Sequence, residues 1–136
     1  MAKATSFRCK LLTPEAALLD EAVQAAVLTA HDGEVGVLPN RAPLLTKLGT
    51  GQLRVQASGS TRRFFIDGGF AQVLDNELNV LTTRAQAAQD IDVQAAEKEL
   101  EALRQQVPAS PEERAQRSAD LRRCRARLKV ARAQHG

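Results

Sequence analysis

Arg63-Phe64-Phe65-Ile66-Asp67-Gly68-Gly69-Phe70-Ala71-Gln72-Val73-Leu74-Asp75-Asn76-Glu77-Leu78-Asn79-Val80-Leu81 holds three short apolar runs parted by two turn signals. Asp67-Gly68-Gly69 and Asp75-Asn76 are turn chemistry, because Gly, Asn and Asp tolerate the backbone angles that tight turns demand. The same rhythm continues upstream. Gln52–Ala57 is a further run, and Ser58-Gly59-Ser60 before Arg62-Arg63-Phe64-Phe65-Ile66 reads as the bend of a hairpin. Asp32-Gly33, Pro39-Asn40 and Gly49-Thr50-Gly51 supply more turn signals. Nearer the start, Phe7, Cys9 and Leu11 alternate with Arg8, Lys10 and Leu12, the pattern of a half-buried strand. Val23–Leu28 is a second candidate with blurred alternation. Many short strands separated by Gly-containing turns predict a sandwich or barrel.

After Arg84 the composition changes: Gly vanishes until Gly136, and Ala, Glu, Gln and Arg dominate. This predicts a β-sandwich over residues 1–86 followed by an antiparallel two-helix hairpin over 87–136. Asp90 or Asp92 can cap the first helix by accepting bonds from its free first-turn amides. Val93, Ala96, Leu100, Leu103 and Val107 form one apolar stripe at 3-4-3-4 spacing. Pro108 ends it, and Ser110-Pro111-Glu112-Glu113 opens a second helix, with Ser as cap and Glu113 bonding back. Leu121, Cys124, Leu128 and Ala131 are its stripe. A loop this short makes the helices antiparallel neighbours. Few large apolar residues line the seam, so the hairpin is expected to depend on docking to something else, and to be able to exchange one dock for another.

The chain has 136 residues, 43% of them hydrophobic, with four Phe and no Tyr or Trp, so the core must be aliphatic. That length suits one modest core plus an appendage. Its net charge of +3 is unevenly spread. Residues 1–113 carry eleven Lys/Arg against fifteen Asp/Glu, whereas residues 114–136 carry eight against Asp120 alone. The tail is therefore +7 and predicts an acidic partner surface. Cys9 and Cys124 lack CxxC spacing and read as ordinary thiols in a reducing compartment. No apolar run is long enough to span a bilayer, and the N-terminal residues lack a signal-peptide core.

Two segments carry a family resemblance. His31-Asp32-Gly33-Glu34-Val35-Gly36-Val37-Leu38-Pro39-Asn40-Arg41-Ala42-Pro43-Leu44-Leu45-Thr46 resembles the pattern Gly-x-x-Gly-x-Leu-Pro-x-His-Ala-Pro-Leu-Leu-Thr of the epsilon subunits of F-type ATP synthases. Phe65–Val73 with Asn76–Leu81 looks like the Gly-Gly-Phe strand pair of that family. The resemblance implies a non-catalytic rotor subunit at the cytoplasmic face of the membrane, peripheral and held there only through the complex. It implies a sandwich that binds the gamma subunit and the c-ring, with contacts at Asp32, Glu34 and Arg41. It also implies a regulatory hairpin whose second helix restrains ATP hydrolysis by the alpha/beta head. Arg122, Arg123, Arg125, Arg127 and Lys129, with Arg132, would then meet an acidic loop of the beta subunit. Arg41 stands where the family usually has His. Some relatives bind ATP through Ile/Leu-Asp-x-x-Arg-Ala. Aligned from Arg127-Leu128-Lys129-Val130, the acid falls on Glu113 and the base on Gln116, so regulatory ATP binding is disfavoured.

Plainer readings stand beside these. The arginines can be a solvated helix face, and Glu34 a polar residue of a loop between Gly33 and Gly36. An Arg-rich helix can also serve a nucleic-acid-binding adaptor, but the tail has no aromatic for stacking, so no direct nucleic-acid contact is expected. Gly68-Gly69 lacks the Lys-Ser/Thr and helix start of a phosphate cradle and reads as a strand break where backbones pack closely. His31 and His135 lack metal-ligand spacing, and no nucleophile or acid–base cluster marks an enzyme. No cofactor is expected.

Overall fold

The alternation in the first run is realised as written: Phe7, Cys9 and Leu11 are buried and Arg8 is exposed. The computed structural model describes residues 3–135; Met1, Ala2 and Gly136 lie outside it. In chain order the strands are β1 (Phe7–Leu12), β2 (Ala17–Val23), β3 (Ala25–Ala30), β4 (Gly33–Val37), β5 (Leu44–Ala57), β6 (Ser60–Asp67), β7 (Phe70–Leu74), β8 (Glu77–Leu81) and β9 (Ala85–Ala87). A 3₁₀ turn (Ala88–Asp90) leads to helices α1 (Val93–Gln105) and α2 (Pro111–His135).

The strands form two layers. The first sheet runs β2-β1-β8-β7 and ends on the opening residues of β5, where Leu44–Lys47 pair with β7. The second runs β4-β3, then the rest of β5, then β6 and β9. Among the described residues only β1 and β8 pair in parallel. One apolar core lies between the layers, with Leu11, Val23, Val73, Leu78 and Val80 from one side and Leu28, Leu53, Val55, Phe64 and Ile66 from the other. Inward alternation from two facing sheets gives a sandwich. The β7–β8 turn places Asp75 and Asn76 at φ 51° and 60°, the left-handed pair of a tight hairpin. Gly69 has φ +104°, and a Cβ there would run into the Leu81 carbonyl, so Gly68-Gly69 is a point of close backbone approach.

Four expectations are corrected. Val23–Leu28 is not one strand: Val23 ends β2, Ala25 begins β3, and the chain crosses between sheets at Gln24. The blurred alternation was that change of layer. Gly49-Thr50-Gly51 is not a turn but the middle of β5. A Cβ on Gly51 would collide with the Thr29 side chain, whose hydroxyl accepts a bond from the Gln52 amide, so this glycine makes room for a neighbouring strand. Glu34 sits in β4, not in a loop. Val107 lies past α1 and is 90% exposed, because the helix stops at Gln105 ahead of Pro108.

β6 is unusual in burying both faces. Phe64 and Ile66 enter the sandwich core, while Phe65 points outward under the hairpin with Ala88, Ile91, Val130 and Ala131. The hairpin itself closes over Ala96, Leu103, Leu121, Cys124 and Leu128. Its caps are Asp92 and Ser110, as expected, but Glu113 bonds back to the amide of Ala109, one residue before the Ser110 cap. Asp92 accepts from the Ala95 amide at 3.1 Å, and Ser110 from the Glu113 amide at 3.1 Å. Glu113 accepts from the Ala109 amide at 2.7 Å. Arg117 donates to the carbonyls of Leu103 and Arg104, covering groups that the end of α1 leaves open.

Candidate functional site

A helix turns about 100° per residue, so the basic residues of α2 divide by position. Leu121, Cys124 and Leu128 face α1, and Val130 and Ala131 face the sandwich. Arg122, Arg125 and Lys129 fall at 3-4 spacing on the exposed side and form no ion pair among the described residues. Arg123 and Arg127 are half-buried and already engaged. Arg127 bonds Glu99 at 3.3 Å, and Arg132 bonds Glu97 at 2.8 Å. The acids of α1 therefore neutralise part of the basic tail.

Arg123 is the arginine of α2 that reaches across to the sandwich. Its Nε donates to Oδ2 of Asp67 at 2.7 Å and its Nη1 to Asp120 at 2.8 Å. The other oxygen of Asp67 accepts from the Thr50 hydroxyl at 2.6 Å. Burial pushes the Asp67 carboxyl upward, but the Thr50 and Arg123 hydrogen bonds and the charges of Arg123 and Arg84 outweigh it and hold the pKa below the usual carboxylate range. At the far end of α2, Gln134 accepts from the Arg63 amide at 2.9 Å and donates to the Thr61 carbonyl at 3.3 Å. β9 pairs with β6 only over Phe64–Ile66, so the Gln134 amide satisfies the edge groups that β9 does not reach.

The three residues that the resemblance assigns to c-ring and gamma contact are not gathered in one place. Asp32 is exposed at the β3–β4 turn beside His31. Arg41 lies beyond the other end of β4 and donates to the Gly36 carbonyl at 3.3 Å. Its loop is fixed by Asn40, whose amide donates to Asn76 and whose side chain bonds both backbone groups of Ala4. Glu34 lines a cavity of about 250 Å³ between sandwich and hairpin, with Lys129 on its other wall. Glu113 and Gln116, at the positions of the ATP motif, are occupied by the Ala109 amide and by Asp120. The side chain of His135 lies outside the described residues.

Sequence reasoning missed three features. Asp67 looked like a turn residue, and Gln134 like an unremarkable polar residue near the chain end. An apolar patch on the outer face of the first sheet was also missed: Leu12, Phe70 and Leu81, adjacent in register, border a cavity of about 420 Å³ with Pro14. Its signal was present, since β7 has apolar residues at both parities. Both cysteines are buried and free; burial, then Glu21, pushes the Cys9 thiol up to about 12, and burial raises that of Cys124. Among the described residues no helix is long and apolar enough to cross a membrane.

Known proteins resemble this chain along nearly its whole length. Residues 6–88 match the model of the ATP synthase delta/epsilon chain β-sandwich domain. The ATP synthase epsilon chain of Rhodopirellula baltica is 44% identical over 129 residues, covering 93% of this chain and 99% of that one. The epsilon chain of Nitratidesulfovibrio vulgaris is 36% identical over 127 residues, covering 92% and 95%. In a cryo-EM structure of the Euglena gracilis mitochondrial ATP synthase, described as OSCP/F1/c-ring in rotational state 1, one chain superposes with a TM-score of 0.85. That chain is 26% identical, over 96% of this chain and 84% of its own length. A chain of the Tetrahymena thermophila central stalk and c-ring shares the fold at a TM-score of 0.67 and 16% identity, over 96% and 99%.

Proposed function

The chain belongs to the ATP synthase delta/epsilon family, as a non-catalytic central-stalk subunit, and from that premise we propose that it couples c-ring rotation to the catalytic head and brakes ATP hydrolysis through α2. The sandwich, residues 1–86, is the part that meets gamma and the c-ring, with Asp32, Glu34 and Arg41 as contact residues. The hairpin, residues 87–136, is the regulatory part. The subunit is peripheral to a membrane complex, and its side is the cytoplasmic one.

The observation that carries the brake is the unpaired row of Arg122, Arg125 and Lys129 on the exposed side of α2. Three cations with no ion-pair partner among the described residues fit an acidic surface of the beta subunit. Arg123 would lose Asp67 once the hairpin left its dock, whereas Arg127 would stay with Glu99 until α2 also parted from α1. Exposed charge contacts are screened beyond about 8–10 Å at physiological salt, so the brake must weaken as salt rises. A nucleic-acid role has less support: Phe7, Phe64 and Phe65 are buried, and no aromatic lies on α2.

The test is ATP hydrolysis by a purified head containing gamma, at low and high salt, with the full chain or with residues 1–110. The expected result is inhibition by the full chain that salt relieves and truncation abolishes. Equal hydrolysis with both forms, each bound to gamma, would leave a coupling subunit with no brake.

A further inference from the structure

We propose that Asp67, Thr50 and Arg123 form a releasable catch that decides whether the hairpin stays on the sandwich. The catch acts within one chain and needs no partner protein.

Its position is the first argument. Among the described residues, Arg123–Asp67 is the only ion pair joining the sandwich to the hairpin; the others lie within one or the other. The apolar contact beside it is small: Val93, Ala126, Val130 and Ala131 of the two helices on Phe65, Ala88 and Ile91. Two of those four helix side chains are alanines, and Val93 and Ala126 are only partly buried, so polar contacts weigh heavily in holding the dock.

Its construction is the second. Thr50 occupies one carboxylate oxygen at 2.6 Å and thereby aims the other at the hairpin, where Arg123 takes it at 2.7 Å. A charge-assisted bond with a pre-oriented acceptor loses less entropy on closing than one between two free side chains.

The third argument is that each charge has a reserve partner. When Arg123 leaves, Asp67 keeps Thr50 and stays beside Arg84, which lines the same cleft. Arg123 keeps Asp120, on its own helix. A half-buried pair usually resists opening because it strands a charge. Here neither side is stranded, so the catch opens without destabilising the sandwich. Glu99 and Arg127 complete the charged groups of the cleft and already pair with each other.

The Arg63 amide is a local reporter, because it points away from β5 and donates to Gln134 of the docked helix. Its hydrogen exchange is to be measured by NMR on the isolated full chain, in wild type, Asp67→Asn, Arg123→Ala and the double variant. Each single change is expected to speed Arg63 exchange about tenfold, the order of a charge-assisted hydrogen bond. The double variant is expected to go no further, since both changes break the same contact. Amides of β1, β7 and β8 should keep their wild-type rates. Wild-type exchange at Arg63 in both single variants would overturn the catch. So would additive effects, or faster exchange throughout the sandwich in Asp67→Asn with none in Arg123→Ala, which would make Asp67 a support for β5 and β6 only.

Discussion

The sandwich and the hairpin are stabilised on different scales. The sandwich encloses a single cluster of eighteen buried side chains contributed by both sheets. The hairpin seam holds five, and the cluster beneath it holds five more: Phe65 from the sandwich, Ala88 and Ile91 from the segment between β9 and α1, and Val130 and Ala131 from α2. Hydrophobic stabilisation grows with buried apolar area. The sandwich thus has the means to fold alone, whereas α2 is held in place by two thin contacts and a few polar bonds. The first region is a body with its own core and the second an attachment held by far fewer buried side chains.

The sharpest way to break that comparison is a cavity in each region. Leu78→Ala, at a fully buried site in β8, should lower the stability of the sandwich by about 3–4 kcal/mol in urea denaturation. Leu128→Ala should cost about 2–3 kcal/mol and reduce helical circular dichroism, while the sandwich transition keeps its midpoint. If Leu128→Ala shifted that midpoint as far as Leu78→Ala does, the two regions would be one cooperative unit. A finer probe is Ser110→Ala, which removes the α2 cap and should weaken the hairpin by about 1 kcal/mol. The smallest effect is that of acid. Asp67 titrates lower when folded than when free, so its contribution to docking is complete above its ordinary value of about 3.9 and is lost as pH falls through the lower folded one. Corrected for the intrinsic pH dependence of amide exchange, the exchange of the Arg63 amide should therefore show no Asp67-dependent change from pH 7 to about 5 and rise only below about 4. Asp67→Asn should flatten that rise.

Legibility in the sequence follows the same division. Where a pattern reports one environment, it was readable. The alternation of β1, the bends at Ser58-Gly59 and Asp75-Asn76, and the caps Asp92 and Ser110 each depend on a few neighbouring residues. Where a segment serves two environments, its pattern misled. Val23–Leu28 spans a crossing between sheets, and Gly49–Gly51 lies in a strand that passes from one sheet to the other. Glycine there relieves crowding against Ala30 and Thr29, which a turn rule cannot distinguish from a bend. The candidate site was half legible. Charge counting found the arginines of α2, but which of them are free depends on Glu97, Glu99 and Asp67, set by packing across more than twenty residues of chain. Gln134 gave no signal, because an amide that completes a sheet edge resembles any other solvated glutamine.

β5 has a mechanical consequence. Two stacked sheets joined only by side-chain packing and loops can creep across one another under load. Here fourteen consecutive residues belong first to one layer and then to the other, bonded to β7 at one end and to β3 and β6 at the other. Sliding the layers would require breaking backbone ladders in both sheets together, not repacking aliphatic groups. A stalk component stitched in this way resists shear between its layers as a stiff washer would, a continuity that the hairpin on its flank does not share.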